Sequence, residues 1–252
     1  MKGNTILINI LMMAVIFVLA FSFVAVLRHT LADNNIFAEV ASETSLKITE
    51  KQIKETKGNL DMEFSIPVIE GLADKEIQSS INSMLENDIE SFRKYMIELS
   101  ATDTDSSINM KYIAKTSYKI NKKSRNLLSI SVIYYQDTGG AHGIYDMVAY
   151  NFDIRNGSLL ELDDLFENKD GYKDIINEEI RRQICENKGK IEYFSGDSGF
   201  KSISSHQPFY INDGKLVIYF SLYEIAPYSS GIPGFEIPFT LFEENLNEII
   251  AQ

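Results

Sequence analysis

The chain has 252 residues, with 24 Lys and Arg against 36 Asp and Glu and one cysteine, Cys185. A lone cysteine excludes an intrachain disulfide and a multi-cysteine metal site. The net charge of −12 repels nucleic acid and anionic phospholipid and favours encounter with a cationic partner, besides keeping the protein soluble.

Residues 1–5, "MKGNT", read as a cytoplasmic stub. Ile6 to Leu27, "ILINILMMAVIFVLAFSFVAVL", carries no charge and has only Asn9 and Ser22 as polar interruptions. As a helix it rises about 33 Å, enough to cross a hydrocarbon core of about 30 Å. The expectation is a transmembrane signal anchor over 6–27. Lys2 and Arg28 flank it almost evenly, so the positive-inside rule decides little; the short stub against the long remainder places the domain outside a single-pass cell membrane. Thr30 and Ala32 stand at the −3 and −1 positions of a candidate signal-peptidase site. The apolar run exceeds the roughly 7–15 residues of a usual signal peptide, which favours an uncleaved anchor over secretion after cleavage near Ala32. Lys2 and Arg28 are the basic residues before residue 33 and all acidic residues lie from Asp33 onward, so the exported part carries −14. Residues 28–45, polar and small from Asp33 on, suit a tether. Richness in Ile, Asn, Lys and Tyr suits an exported protein of a Gram-positive bacterium.

Beyond the tether, "LKITEKQIKET" and "LDMEFSIPVI" alternate as strands, the second with Leu60, Met62, Phe64 and Ile66 on one face. Asp74 to Leu99 is an amphipathic helix, with Ile77, Ile81, Met84, Leu85, Ile89, Phe92, Met96 and Leu99 at three- and four-residue steps and Asp74 as N-cap. Strands follow over 110–120, 126–136 and 145–154; Asn156-Gly157 turns the chain into "SLLEL". A second helix is predicted over 168–186, with Tyr172, Ile175, Ile176, Ile180 and Ile184 on its apolar face. A hairpin then turns at Asp213-Gly214, and a last helix runs from Thr240 to Ala251. Hairpins rather than βαβ alternation favour an α+β fold. Two lobes of antiparallel sheet are expected, 46–136 and 137–252, each packed with a long helix.

Two stretches bear on chemistry. "YYQDTGGAHGIYD" (134–146) sets His142 between glycines and near Asp137 and Asp146. A histidine beside carboxylates can serve as general base and glycines admit close approach, yet no nucleophile-elbow pattern accompanies it. His142 and His206 alone, 64 residues apart, make a poor zinc set. Gly139, Gly140 and Gly143 also suit a tight corner between strands. The second stretch, "YFSLYEIAPYSSGIPGFEIPF" (219–239), places tyrosines among prolines and glycines, as recognition loops do, although such rings equally cover a sheet edge or core.

"GGAHG" (139–143), "YNFDIRNG" (150–157), "LDDLF" (162–166) and "YEIAPYSSGIPGFEIPF" (223–239) resemble the C-terminal domain of the exported module of RsiV-like anti-sigma factors, which sense lysozyme. Similar modules precede the catalytic domain of PdaC-type peptidoglycan deacetylases, and "LDMEFSIPVIEGL" before a long helix is similar to the module's first domain. The resemblance implies an extracellular α+β binding or sensor module, non-enzymatic and without cofactor or metal. Its partner would be lysozyme, as a cationic protein, or a peptidoglycan fragment. It would also give Thr30 and Ala32 a regulatory meaning as a signal-peptidase site exposed on binding. Candidate ligand contacts are His142, Gly140, Asp146, Tyr223 and Tyr228. "MKGNT" leaves no cytoplasmic segment to hold a sigma factor, and no deacetylase domain follows residue 252, so a module without its own anti-sigma segment is expected. The alternative is a cell-envelope hydrolase or esterase centred on His142.

Overall fold

A computed structural model of the chain describes residues 46–102, 111–242 and 245–250. The stub, the span over 6–27, the tether, and Thr30 and Ala32 lie outside the described residues. Among the described residues no helix is long and apolar enough to cross a membrane.

Strands β1 (Lys47–Lys57) and β2 (Leu60–Glu70) form a hairpin turning at Gly58, which has φ 61°. Leu60, Met62, Phe64 and Ile66 are all buried, so the alternation puts the expected face inward. Helix α1 (Lys75–Thr102) lies on that face. The Asp74 carboxylate accepts hydrogen bonds from the Glu76 and Ile77 amides at 2.8 and 3.1 Å, which satisfies two otherwise open donors of the first turn. Ile81, Leu85, Ile89, Phe92 and Met96 are buried as the periodicity requires, and Tyr95 joins them. Phe92 meets Phe64 and Tyr134 edge-on at 6.0 and 5.3 Å. The Asn82 side chain bonds both the amide and the carbonyl of Ile69, at 2.7 and 2.8 Å, which fixes the start of the helix against the end of β2.

Strands β3 (Tyr112–Lys123), β4 (Leu127–Asp137), β5 (Ile144–Asp153) and the short β6 (Ser158–Leu159) complete a six-stranded sheet in chain order. Two expectations change here. β2 and β3 pair in parallel, not antiparallel, because the chain crosses over through α1 before pairing again. The sheet also runs past residue 137: β5 pairs with β4 from Leu127↔Asp153 to Gln136↔Ile144, so the strand expected in a second lobe belongs to the first sheet.

A three-stranded antiparallel sheet follows, of β7 (Phe209–Asn212), β8 (Lys215–Tyr219) and β9 (Gly234–Pro238). Helix α2 (Tyr172–Glu186) buries Tyr172, Ile176 and Ile180 in one core with Ile211, Leu216, Ile218, Phe235 and Ile237. It begins four residues later than expected, after Gly171 in the left-handed region at φ 82°. The expected C-terminal helix is absent among the described residues. Only a 3-10 turn, Phe239–Phe242, forms. Asn245 explains the change: its side chain bonds the Asn168 amide and carbonyl at 2.7 and 3.0 Å, and its carbonyl accepts from Glu167. An asparagine so engaged holds the strap extended against the 165–168 segment instead of letting it coil. Arg155 adds a clamp, forking onto the nearly buried Asp153 and reaching Glu248 at 2.9 Å.

All described residues belong to one compact unit, Thr44–Gln252. Polar bonds join its two sheets. Ser129 Oγ donates to Asn151 Oδ1 at 2.7 Å and accepts from the Ile211 amide at 3.1 Å, and Asn151 Nδ2 donates to the Phe209 carbonyl. The Tyr219 hydroxyl accepts from the Ala149 amide at 3.0 Å and donates to the Met147 carbonyl at 3.2 Å, standing in for a neighbouring strand along β5. The end of β8 is thereby pinned beside the β4–β5 hairpin.

Candidate functional site

The pinned ends bring the two chemistry-bearing stretches together. Of the three loop glycines, Gly139 takes a positive φ of 78° and Gly143 permits a close approach, a Cβ there falling 2.2 Å from the Tyr135 hydroxyl. Gly140 does neither; it is exposed, and a Cβ there would make only an ordinary contact, 4.0 Å from the His142 carbonyl oxygen. His142, also exposed, stacks on Tyr228 with ring centroids 4.1 Å apart and planes at 26°. Its Nδ1 lies 2.9 Å from the Gly143 carbonyl oxygen. A carbonyl only accepts, so Nδ1 carries the proton and Nε2 of the neutral ring keeps the lone pair. The Tyr228 hydroxyl donates to the same carbonyl at 2.8 Å.

Around Tyr228 the rings continue. Tyr145 lies edge-on at 6.2 Å and Tyr223 tilted at 5.9 Å. Tyr223 is 47% exposed and has φ 66°, the one positive φ outside glycine among the described residues. Tyr135 is the cross-strand partner of Tyr145. Burial raises both phenols above their usual range, helped at Tyr135 by Asp137 and Tyr228 and at Tyr145 by Tyr228, so both stay protonated donors.

Asp146 is half-buried at the base of this ledge, accepting from the Met147 amide at 2.8 Å and from Ser221 Oγ at 3.4 Å. Burial pushes its carboxyl up, and the two bonds offset part of the shift. Glu224 is pushed up by desolvation and by the charge of Asp146, against the bond from the Ser221 amide. A cation placed beside either carboxyl would oppose that upward shift.

His142, Tyr223 and Tyr228 therefore meet; Asp146 is linked to them only through Ser221, two residues before Tyr223, and Gly140 only shapes the loop edge. Sequence reading left Tyr135, Tyr145, Ser221 and Glu224 out of the candidates. The near-symmetry of "YYQDTGGAHGIYD" about its glycines was the available signal, since a hairpin there pairs Tyr135 with Tyr145. His142 contacts the Gly143 carbonyl and the Tyr228 face. Among the described residues no three His, Cys, Asp or Glu side chains gather as metal ligands. Two concavities lie away from the His142 and Tyr228 rings, one beside Lys54, Glu63 and Lys115, the other beside Lys122, Ile211 and Phe239.

The family model described as deacetylase PdaC matches residues 53–145, and that described as a protein of unknown function, DUF3298, matches residues 163–240. The anti-sigma-V factor RsiV of Bacillus subtilis is 30% identical over 197 residues, 76% of this chain and 67% of its own. The chain belongs to the RsiV-like family. Its fold is shared with a DUF3298-family protein from Bacteroides fragilis, at TM-score 0.64 and 22% identity over 82% of this chain and 97% of the other. A second DUF3298 structure, from Pseudomonas aeruginosa, gives TM-score 0.56 and 17% identity over 81% and 96%. In this RsiV-like chain the ledge is assembled from both matched segments, His142 and Tyr145 from the first, Tyr223 and Tyr228 from the second.

Proposed function

We propose that the chain is a membrane-anchored extracellular sensor module that recognises a cationic protein such as lysozyme through the His142–Tyr228 ledge. The observation that carries this reading is the convergence of two separate loops on one exposed aromatic surface, with Asp146 and Glu224 held nearby by Ser221. Tyrosine rings lose little entropy on binding and attract cationic side chains to their faces. Kinship with an anti-sigma factor supports a signalling role, and the −14 exported charge suits a basic partner. The span over 6–27 would hold the module at the cell surface, and Thr30 and Ala32 would be the signal-peptidase site. A peptidoglycan fragment is the competing ligand.

Calorimetry of the full chain with lysozyme at low salt tests the reading. Binding is expected, weakened about tenfold or more by Tyr223→Ala if the ring is a hot spot. No heat at low salt, where attraction between opposite charges is strongest, sinks the lysozyme version.

A second reading, an envelope hydrolase or esterase, draws on the free Nε2 of His142 and on the deacetylase PdaC match. It requires turnover of an acylated cell-wall substrate that His142→Ala abolishes while the fold is kept.

A further inference from the structure

We propose that the open half of the first sheet's outer face, from Lys54 to Tyr145, binds an extended, uncharged oligosaccharide. The site adjoins the ledge through Tyr145 but does not depend on the protein partner proposed there.

Strand alternation sets the face. Leu60, Met62 and Phe64 are buried in the core beneath α1, so Asp61 and Glu63 point to the opposite side of the sheet. Register then carries one row across five strands: Lys54 of β1 opposite Glu63 of β2, Glu63 beside Lys115 of β3, Lys115 opposite Tyr135 of β4, and Tyr135 opposite Tyr145 of β5. Strands about 4.8 Å apart make this row about 19 Å long. The second sheet covers the other half of the same face, where Ser129 and Asn151 bond Ile211 and Phe209. In the row, Lys54 and Lys115 are exposed and Tyr135 and Tyr145 half-buried.

At the Lys54 end the row opens into a concavity of about 360 Å³, lined also by Thr56, Asp61 and Ile113, a size within the roughly 300–1,000 Å³ of small-ligand sites. Its chemistry selects the ligand. Glu63 lies between Lys54 at 2.7 Å and Lys115 at 3.7 Å, and Asp61 takes Lys111 at 2.5 Å and the Thr56 hydroxyl at 2.9 Å. Glu55, at the rim, is held by Arg93 of α1 at 2.6 Å. Cations and carboxylates nearly balance, so the concavity has little net attraction for an ion. An ammonium has three donors and a carboxylate about four acceptor positions, which leaves further bonds for a ligand. Neighbouring hydroxyls of a sugar accept from a lysine and donate to a carboxylate at once, as this alternation requires. Exposed ion pairs contribute little to stability, so sharing them with a ligand costs little. Tyr135 and Tyr145 continue the row with flat rings that have an apolar body and a polar tip, suited to the C–H face of a further sugar. A small ion would use neither the length nor the rings.

Cellotetraose, an uncharged linear probe, is titrated into the full chain in a sugar-free detergent and followed by calorimetry and by ligand-observed saturation-transfer NMR. Binding is expected, with an affinity that holds from about 0.1 M to about 1 M salt, while the screening length falls from about 10 Å to about 3 Å. Lys115→Met keeps the aliphatic stem and removes the ammonium. It should weaken binding about tenfold, the equivalent of one charged hydrogen bond. Lys119→Met, on the same side of β3 but opposite Ser131 and outside the row, should leave binding unchanged. Circular dichroism checks the fold of both variants.

Absence of binding, or equal losses from the two lysine variants, overturns the proposal. So does an oligogalacturonate of the same length that binds in place of cellotetraose with an affinity that falls with salt, since the lysines would then form an anion site. Lysozyme is titrated separately into the parent and into Lys115→Met. Retained lysozyme binding beside weakened cellotetraose binding is the expected result for a site of its own, and parallel losses of both overturn it. A parent that binds cellotetraose and not lysozyme removes the ledge reading and upholds the oligosaccharide site.

Discussion

Gly143 shows how one missing side chain sets the shape of the ledge. Its carbonyl accepts from both His142 Nδ1 and the Tyr228 hydroxyl, at 2.9 and 2.8 Å, so two rings from different loops are aimed by one backbone group. Its Cα must sit against the Tyr135 ring, where a Cβ would fall 2.2 to 2.6 Å from three ring and hydroxyl atoms. Gly143→Ala therefore has to displace Tyr135 or the loop. Overpacking of this kind costs about 1–3 kcal/mol, so the urea midpoint should fall by the matching amount and binding at the ledge should weaken with it. Gly140→Ala, whose Cβ would lie 4.0 Å from the His142 carbonyl oxygen and meet no clash, is the internal control and should leave both nearly unchanged. Equal effects from the two substitutions would show that loop flexibility, and not the Tyr135 contact, governs the site.

At the scale of elements, the docking of α1 is stabilised mainly by apolar burial and includes one costly polar group. Asp88 accepts from the Tyr150 hydroxyl at 2.8 Å, and Tyr150 in turn meets Tyr134 at 3.1 Å in the interior. Burial raises the Asp88 carboxyl, and the Tyr150 bond offsets only part of this. A carboxyl raised above its unfolded value makes the native state bind a proton more readily. Its charge is thus a fixed penalty above that pKa, relieved as pH falls through it. Asp88→Asn keeps an acceptor for Tyr150 and removes the charge. Urea unfolding at neutral pH should show unchanged or higher stability, with less gain on mild acidification than the parent. A large loss at neutral pH would mean that the ionised form is needed for docking.

Most of this element was legible beforehand, since a long 3.6-residue period and an Asp74 cap act locally. β9 was not: Gly234 and Pro238 bound it, and only Phe235 and Ile237 mark its face. The parallel pairing of β2 with β3 depends on a partner reached across the whole of α1, which no local pattern encodes. At the site, Tyr223, Tyr228 and His142 stood out by residue type. Their meeting depends on β5 joining the first sheet and on Tyr219 pinning β8 to it.

The whole molecule carries its charge unevenly between uses. Several acids are spent in surface pairs that contribute little: Glu63 with Lys54 and Lys115, Asp61 with Lys111, and Glu179 and Glu186 with Arg182. The remaining excess, together with Asp146 and Glu224, would give the proposed basic partner an attractive field before any contact is made. Such a field acts on association, while the aromatic contacts act on dissociation. The screening length falls from about 10 Å at 0.1 M salt to about 3 Å at 1 M. Stopped-flow or surface binding of the full chain to lysozyme should accordingly show an association rate that drops about tenfold or more across that range, with dissociation altered far less. Tyr223→Ala should give the opposite pattern, faster dissociation at nearly constant association. A salt-insensitive association rate would remove the excess acid from recognition, leaving the ring surface to select the partner by shape and short-range contact alone.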